Sequence, residues 1–226
     1  MRISVVRTAA LWMAPLALTL NMAVAADEEK VPLESKPPKP QFQGTPTNIK
    51  LPNLEKPITG KRPAFLIPKG CTNLAFKRPV TSSDQFPVVG SLDQVTDGDK
   101  EAVDGSFVEL GPGKQWVQID LGKKCKIYAI MMWLYHMQPR VYHDVVIQVS
   151  NDKDFITDVQ TIYNNDHDNS SGFGVGKDLA YIEVYDGRII DGKGVTGRYV
   201  RINTNGNTAN QMNHFTEVEV WGKPAE

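Results

Sequence analysis

A chain of 226 residues, 41% hydrophobic and 23% charged, has the composition of a soluble globular protein with room for one domain or two small ones. Its formal net charge of −1 excludes a generally basic surface, and so argues against nucleic acid as a partner. No basic amphipathic helix for docking on anionic lipid is visible in it.

The chain opens on a targeting pattern. Arg2 and Arg7 form a basic start, Ala9 to Leu20 an apolar run, and Ala23-Val24-Ala25 a small-x-small cleavage site, so residues 1–26 read as a signal peptide. The run is interrupted and short for a membrane span. The expectation is an exported protein, periplasmic or secreted, with no membrane insertion after cleavage. Residues 27–68 are rich in proline and lysine and have no periodic apolar face, and Lys36-Pro37-Pro38-Lys39-Pro40 favours extended backbone. Such a segment cannot offset its own ordering entropy, and it reads as a disordered linker.

From about Gly70 the pattern changes to that of an all-β domain. Val80 to Ser83 reads as an early strand and Leu92 to Gly113 as mostly loop. Val117, Ile119 and Leu121 alternate with polar residues at the two-residue period of a half-buried strand, while Ile127 to Leu134 is apolar at nearly every position, as in a strand covered on both faces. Val145, Ile147 and Val149 alternate again before the stop Ser150-Asn151-Asp152. Further strands are expected at Val159–Tyr163, Tyr181–Tyr185, Arg198–Asn203 and Phe215–Trp221, with long polar loops at 164–177 and 205–213 and a turn at 192–197. Many short strands without a helix-length amphipathic segment point to a β-sandwich.

The pieces Asn73-Leu74-Ala75, Arg78-Pro79-Val80-Thr81-Ser82-Ser83, Thr96-Asp97-Gly98-Asp99, Gln115 to Gly122, Asp144 to Asp152, Gly197 to Arg201 and Glu217 to Gly222 follow one another in an order that resembles the discoidin family, the coagulation factor V/VIII type C domains. The resemblance runs from about Thr72 to Gly222. It implies a jelly-roll β-sandwich of the galactose-binding-like group over residues 69–222, with a short tail at 223–226. It also implies a carbohydrate partner, since bacterial members are often carbohydrate-binding modules.

By the same resemblance, Asp97 or Asp99 together with Glu217 would hold a structural calcium, a hard cation that takes six to eight oxygens at once. Lys100 and Glu101 depart from the short turn expected there, and an Asp-Gly turn with a solvated Glu is the other reading. Tyr135, His136 and Arg140 offer an aromatic face and planar donors to a sugar. The alternative places Tyr135 and Tyr142 in the core or its rim, with Arg140 paired to a carboxylate such as Asp144. In the polar run 164–172, Asn164, Asn165 and Asn169 supply amides for ligand, although Asx-turns and solvation explain such loops as well.

Cys71 and Cys125 are the two cysteines. In an oxidising compartment such a pair can bridge. The family's usual cystine joins the two ends of the domain, however, and no cysteine stands at the C-terminal end here. No catalytic motif occurs: there is no G-x-S-x-G elbow, H-E-x-x-H helix or phosphate-cradling glycine loop. The expectation is therefore a non-catalytic module that binds glycans. An envelope adhesion or scaffold domain that contacts another protein, or a small polysaccharide hydrolase or lyase, are the alternatives.

Overall fold

The computed structural model describes Met1 and residues 28–42, 44, 46, 48–56, 60 and 62–225. The segment read as a signal peptide, Met1 aside, lies outside the described residues. The described chain is almost all strand: β1 (Lys30–Pro32), β2 (Leu66–Pro68), β3 (Thr72–Asn73), β4 (Val80–Ser82), β5 (Val108–Leu110), β6 (Lys114–Trp133), β7 (Val146–Ser150), β8 (Gln160–Asn164), β9 (Arg188–Asn205), β10 (Asn213–Phe215) and β11 (Glu217–Pro224), with one 3-10 turn at Leu92–Thr96. Among the described residues no helix is long and apolar enough to cross a membrane.

Two strands organise the sandwich. β6 and β9 pair antiparallel along nearly their whole length, from Lys114 opposite Asn205 to Met132 opposite Arg188, with register shifts between Asp120 and Cys125 and between Ile127 and Ala129. The first half of β6 also pairs with β4 and its second half with β11, while the second half of β9 pairs with β7. The irregular corner at 121–124, where Gly122 takes φ +82°, is where the pair turns from one sheet into the other. Inward side chains from both halves, Ile119, Leu121, Ile127 and Ile130 among them, meet Ile147, Val200, Ile202 and Val218 in one buried core. The result is the expected jelly-roll β-sandwich.

Several local expectations are corrected. The two strands read from 117–121 and 127–134 are one, because the polar break Gly122–Lys124 is a corner and not an end. The supposed turn at 192–197 lies within β9. Tyr181–Tyr185 is not a strand: Trp133 Nε1 donates to Tyr185 O at 2.9 Å and the Glu183 amide to Arg140 O at 2.9 Å, so its polar groups are spent on a β6 side chain and on the loop at Arg140. Residues 92–113 are mostly loop as expected, apart from the 3-10 turn and β5, which pairs with β10.

Both cysteines are free thiols. β11 runs between them: Thr72, next to Cys71, pairs with Gly222, and Cys125 pairs with Pro224. Two strand spacings put their backbones on the order of 10 Å apart, beyond the roughly 7 Å a disulfide can span.

The proline-rich segment is not a free linker where it is described. β1 pairs with β2, Leu54 bridges Ala180, and Glu55 grips Arg188 Nη1 with both carboxylate oxygens at 2.7 and 2.8 Å. The composition argument holds for this segment alone in water. Here it borrows the sandwich's surface.

Candidate functional site

The corner sends the free ends of β6, β7, β8 and β9 to the opposite end of the sandwich. There Lys114 lies opposite Asn205, and Val146 pairs with both Asn164 and Asn203. The loops 140–145, 164–177 and 205–212 therefore open side by side. Asp144 ties them together. It takes φ +52°, a left-handed conformation that Asp tolerates better than most residues. Its Oδ2 accepts from Ser170 Oγ at 2.9 Å, Ser171 Oγ at 2.7 Å and Asn205 Nδ2 at 2.8 Å. Fully buried Asp166 accepts from the amides of Ser170 and Ser171 at 2.9 and 3.0 Å, and exposed Asp168 from the Ser170 amide at 3.1 Å. Lys114 Nζ closes the base of the loop on Ser171 O at 2.8 Å.

These contacts leave a hollow of about 270 Å³, lined among others by His143, Asp144, Asn165, His167, Asp168 and Asn205. Leu51, Asn53 and Ala180 form its other wall. Carboxylate and amide oxygens dominate the lining, with two imidazoles beside them. The Nδ2 of Asn165 is buried without a partner, while its Oδ1 takes the Val145 amide at 2.7 Å. Such a surface presents hydrogen-bonding groups to a ligand that can both donate and accept.

The predicted ligand residues divide between this hollow and the interior. Asn165 lines the hollow. Asn164 instead braces the loop, accepting from the Asp166 amide at 2.9 Å and donating to Gly174 O at 3.0 Å. Asn169, at φ +59°, accepts from the Gly174 amide at 2.7 Å. Tyr135, His136 and Arg140 do not form an exposed platform. His136 is fully buried with Nε2 against Lys100 O at 2.8 Å. Arg140 is 4% exposed and lies 4.4 Å over the Tyr135 ring, which itself packs on Phe107 and His214 at 5.1 and 5.4 Å. The Arg140–Asp144 pair weighed from sequence does not form; Asp144 is taken by hydroxyls and an amide.

This interior cluster is electrically unusual. Tyr142 Oη and His214 Nδ1 lie 2.9 Å apart, and His214 Nε2 lies 2.9 Å from Glu109 Oε2. Burial, followed by the Arg140 charge, pushes the His214 imidazole down to about 4. The neutral ring then accepts from Tyr142 and donates to Glu109. Glu183, buried with both oxygens unpartnered among the described residues, is pushed up to about 8 by desolvation.

Two places could hold a cation. The carboxylates of Asp144, Asp166 and Asp168 offer oxygens all within 4.8 Å of one another, the one such trio of acids among the described residues. None of the three makes an ion pair there, and burial, followed by the charge of Asp144 among the smaller causes, raises the Asp166 carboxyl. The expected set Asp97, Asp99 and Glu217 is only partly assembled. Asp97 Oδ1 accepts from the Asp99 amide at 2.8 Å, and Asp99 is spent on the Glu101 amide and on Ser106 Oγ at 2.7 Å. Glu217, fully buried, does reach the loop: its Oε2 takes the Gly98 amide at 3.0 Å and its Oε1 has no partner. Burial, with Glu219 and Asp97 adding, pushes this carboxyl up to about 9. A buried carboxylate oxygen left open beside the Asp97 turn suits a hard cation.

Residues 94–202, which supply most of the hollow, match the profile of the F5/F8 type C family described as a NedA-like, galactose-binding domain. Over those residues the sandwich resembles an F5/F8 type C, galactose-binding-like domain. Comparison of the chain with curated proteins finds no match. Among solved structures, the chain is similar to chitosan-binding module 1 of a chitosanase/glucanase from Paenibacillus sp. IK-5, at 21% identity over 67% of this chain and 99% of that one, with a TM-score of 0.45. It is also similar to the CBM32 of AlyQ in complex with 4,5-unsaturated mannuronic acid, at 19% identity over 64% and 95% of the two chains and a TM-score of 0.46. A third is the family 89 glycoside hydrolase from Clostridium perfringens, at 19% identity and a TM-score of 0.49, where 68% of this chain covers 15% of that enzyme.

Proposed function

We propose that the chain is an exported, non-catalytic carbohydrate-binding module whose site is the hollow around Asp144, Asn165, Asp168 and Asn205. The observation that carries this reading is the hollow itself. It is built mostly by loops inside the part that matches a galactose-binding domain, and its open groups suit hydroxyls. Carboxylate oxygens accept from sugar hydroxyls in charge-assisted bonds, and the unpartnered Asn165 Nδ2 donates back. Asp144 and Asp166 hold the loops in place, and Asp168, at the exposed rim, meets ligand.

A calcium ion held by Glu217, with Asp97 and carbonyls of the 97–106 loop, would pin that loop against the start of β11. The ion would supply fixed positive charge in place of a buried neutral acid. It takes no part in the recognition of sugar.

The test is a glycan array probed with the mature chain and with Asp168→Asn. Loss of one charge-assisted bond is expected to weaken binding by about 10- to 100-fold, with Tm unchanged because Asp168 is exposed. A blank array for the native chain, or equal binding by both proteins, overturns the assignment.

A further inference from the structure

Segment 51–55 lies outside the part of the chain that matches the family, yet it is fixed to the hollow by contacts from three sides. The Glu55 amide donates to Ala180 O at 2.8 Å and the Ala180 amide to Asn53 O at 3.0 Å, a short stretch of sheet-like pairing. Glu55 clamps Arg188 in a two-oxygen grip, and the Arg188 guanidinium lies 4.5 Å over the Tyr181 ring. Asn53 Nδ2 donates to Asn165 O at 2.8 Å, next to the unpartnered Asn165 amide. This leaves Asn53 Oδ1 facing no donor among the described residues, on a half-buried side chain that lines the hollow.

The charge of the hollow sets a second condition. Asp144, Asp166 and Asp168 crowd within 4.8 Å without an ion pair among the described residues. An anionic ligand would add a further negative charge to that trio at short range, where it is screened least.

We infer that segment 51–55 is the second wall of the glycan site, and that the site takes a neutral or amino sugar whose hydroxyls donate to Asn53 Oδ1 on one side and to Asp168 on the other. This rests on the glycan-binding reading above. The wall comes from the proline-rich segment, so specificity is set in part by residues outside the sandwich. Uronic and sialic acids are refused by the carboxylate trio.

The experiment uses the full mature chain on an array holding neutral hexoses, amino sugars, uronic acids and sialylated glycans, with and without EDTA. The variants are Asn53→Ala, Glu55→Gln and, as a control outside the lining of the hollow, Lys69→Ala, which breaks the exposed pair with Glu29 of the proline-rich segment. Hits are expected on neutral or amino sugars alone. Asn53→Ala should weaken them by about five- to tenfold, the usual worth of one hydrogen bond. Glu55→Gln should weaken them in the same sense by loosening the clamp, and Lys69→Ala should leave them unchanged. Circular dichroism of each variant shows whether it is folded under assay conditions. Hits that Asn53→Ala leaves untouched overturn the wall and spare the glycan reading. Hits on uronic or sialic acids that vanish with EDTA overturn the ligand class and place a cation on the trio. No hits for the native chain overturn both readings.

Discussion

Calcium added to the metal-free protein is expected to raise Tm by about 5–10 °C, and Glu217→Gln is expected to abolish that rise. A ligand at 100 times its Kd adds about 2.7 kcal/mol to the folded state, and in a chain of this size each kcal/mol moves Tm by about 2–4 °C. Glu217 is where that energy would enter. One of its oxygens is buried without a partner, and desolvation holds the carboxyl as a neutral acid, pushed up to about 9. A cation converts this strained neutral group into a charged, coordinated one. Gln keeps the shape and the contact with the Gly98 amide but cannot offer a charge, so the variant should also be no less stable than the native protein in EDTA. Melting curves with EDTA and with millimolar calcium decide the matter. If Glu217→Gln keeps the full calcium response while Asp166→Asn loses it, the ion sits on the trio of the 164–170 loop.

The second large effect concerns acid. Between pH 7 and 5 His214 is expected to remove about 2 kcal/mol from the stability of the fold. The folded imidazole is pushed down to about 4 by burial and by Arg140, whereas in the unfolded chain it titrates near 6.5. Below 6.5 the unfolded state gains a proton that the folded state refuses, so stability falls as pH falls until the folded value is reached. The ring is enclosed by Tyr142 at Nδ1, Glu109 at Nε2 and the rings of Phe107 and Tyr135. At 3% exposure solvent does little to screen it. Glu183 and Glu217, with carboxyls pushed up to about 8 and about 9, act in the opposite sense over this window, so the His214 loss is read as the difference between the native protein and His214→Gln in chemical denaturation at pH 7 and at pH 5. The same change in stability between the two pH values for the native protein and for His214→Gln would mean that the ring is charged in the fold through its Glu109 contact.

How far the sequence reveals this molecule depends on how local each signal is. The alternation of Val117, Ile119 and Leu121 and the apolar run to Leu134 are local, and they place β6 in the core. The corner at 121–124 looks like a break because its residues are polar, although the hydrogen-bonded ladder resumes beyond it. Tyr181–Tyr185 alternates like a strand, yet its partners are a β6 side chain and the loop at Arg140. The candidate site is harder to read because it depends on distant contacts. Asn165 stands out within a polar loop. Asp144 does not, because its role comes from Ser170, Ser171 and Asn205, separated from it by 26, 27 and 61 positions. His136 and Arg140 look like surface groups by chemistry alone. What buries them is a backbone carbonyl from Lys100 and the ring of Tyr135, neither of which a pattern of polarity can announce. The proline-rich segment lacks a core of its own, and a partner surface elsewhere in the chain is invisible to composition.

The shared passage of β6 and β9 through the corner bears on how the domain comes apart. In a sandwich made of separate strands one sheet can loosen while the other holds. Here each sheet contains half of the same two strands, so opening either one must break a ladder that continues into the other. Amide hydrogens at Ile119 and at Ile130, in different sheets, should therefore exchange with the same free energy, equal to that of global unfolding. Two distinct exchange energies at those amides would show that the corner is a hinge between independent halves.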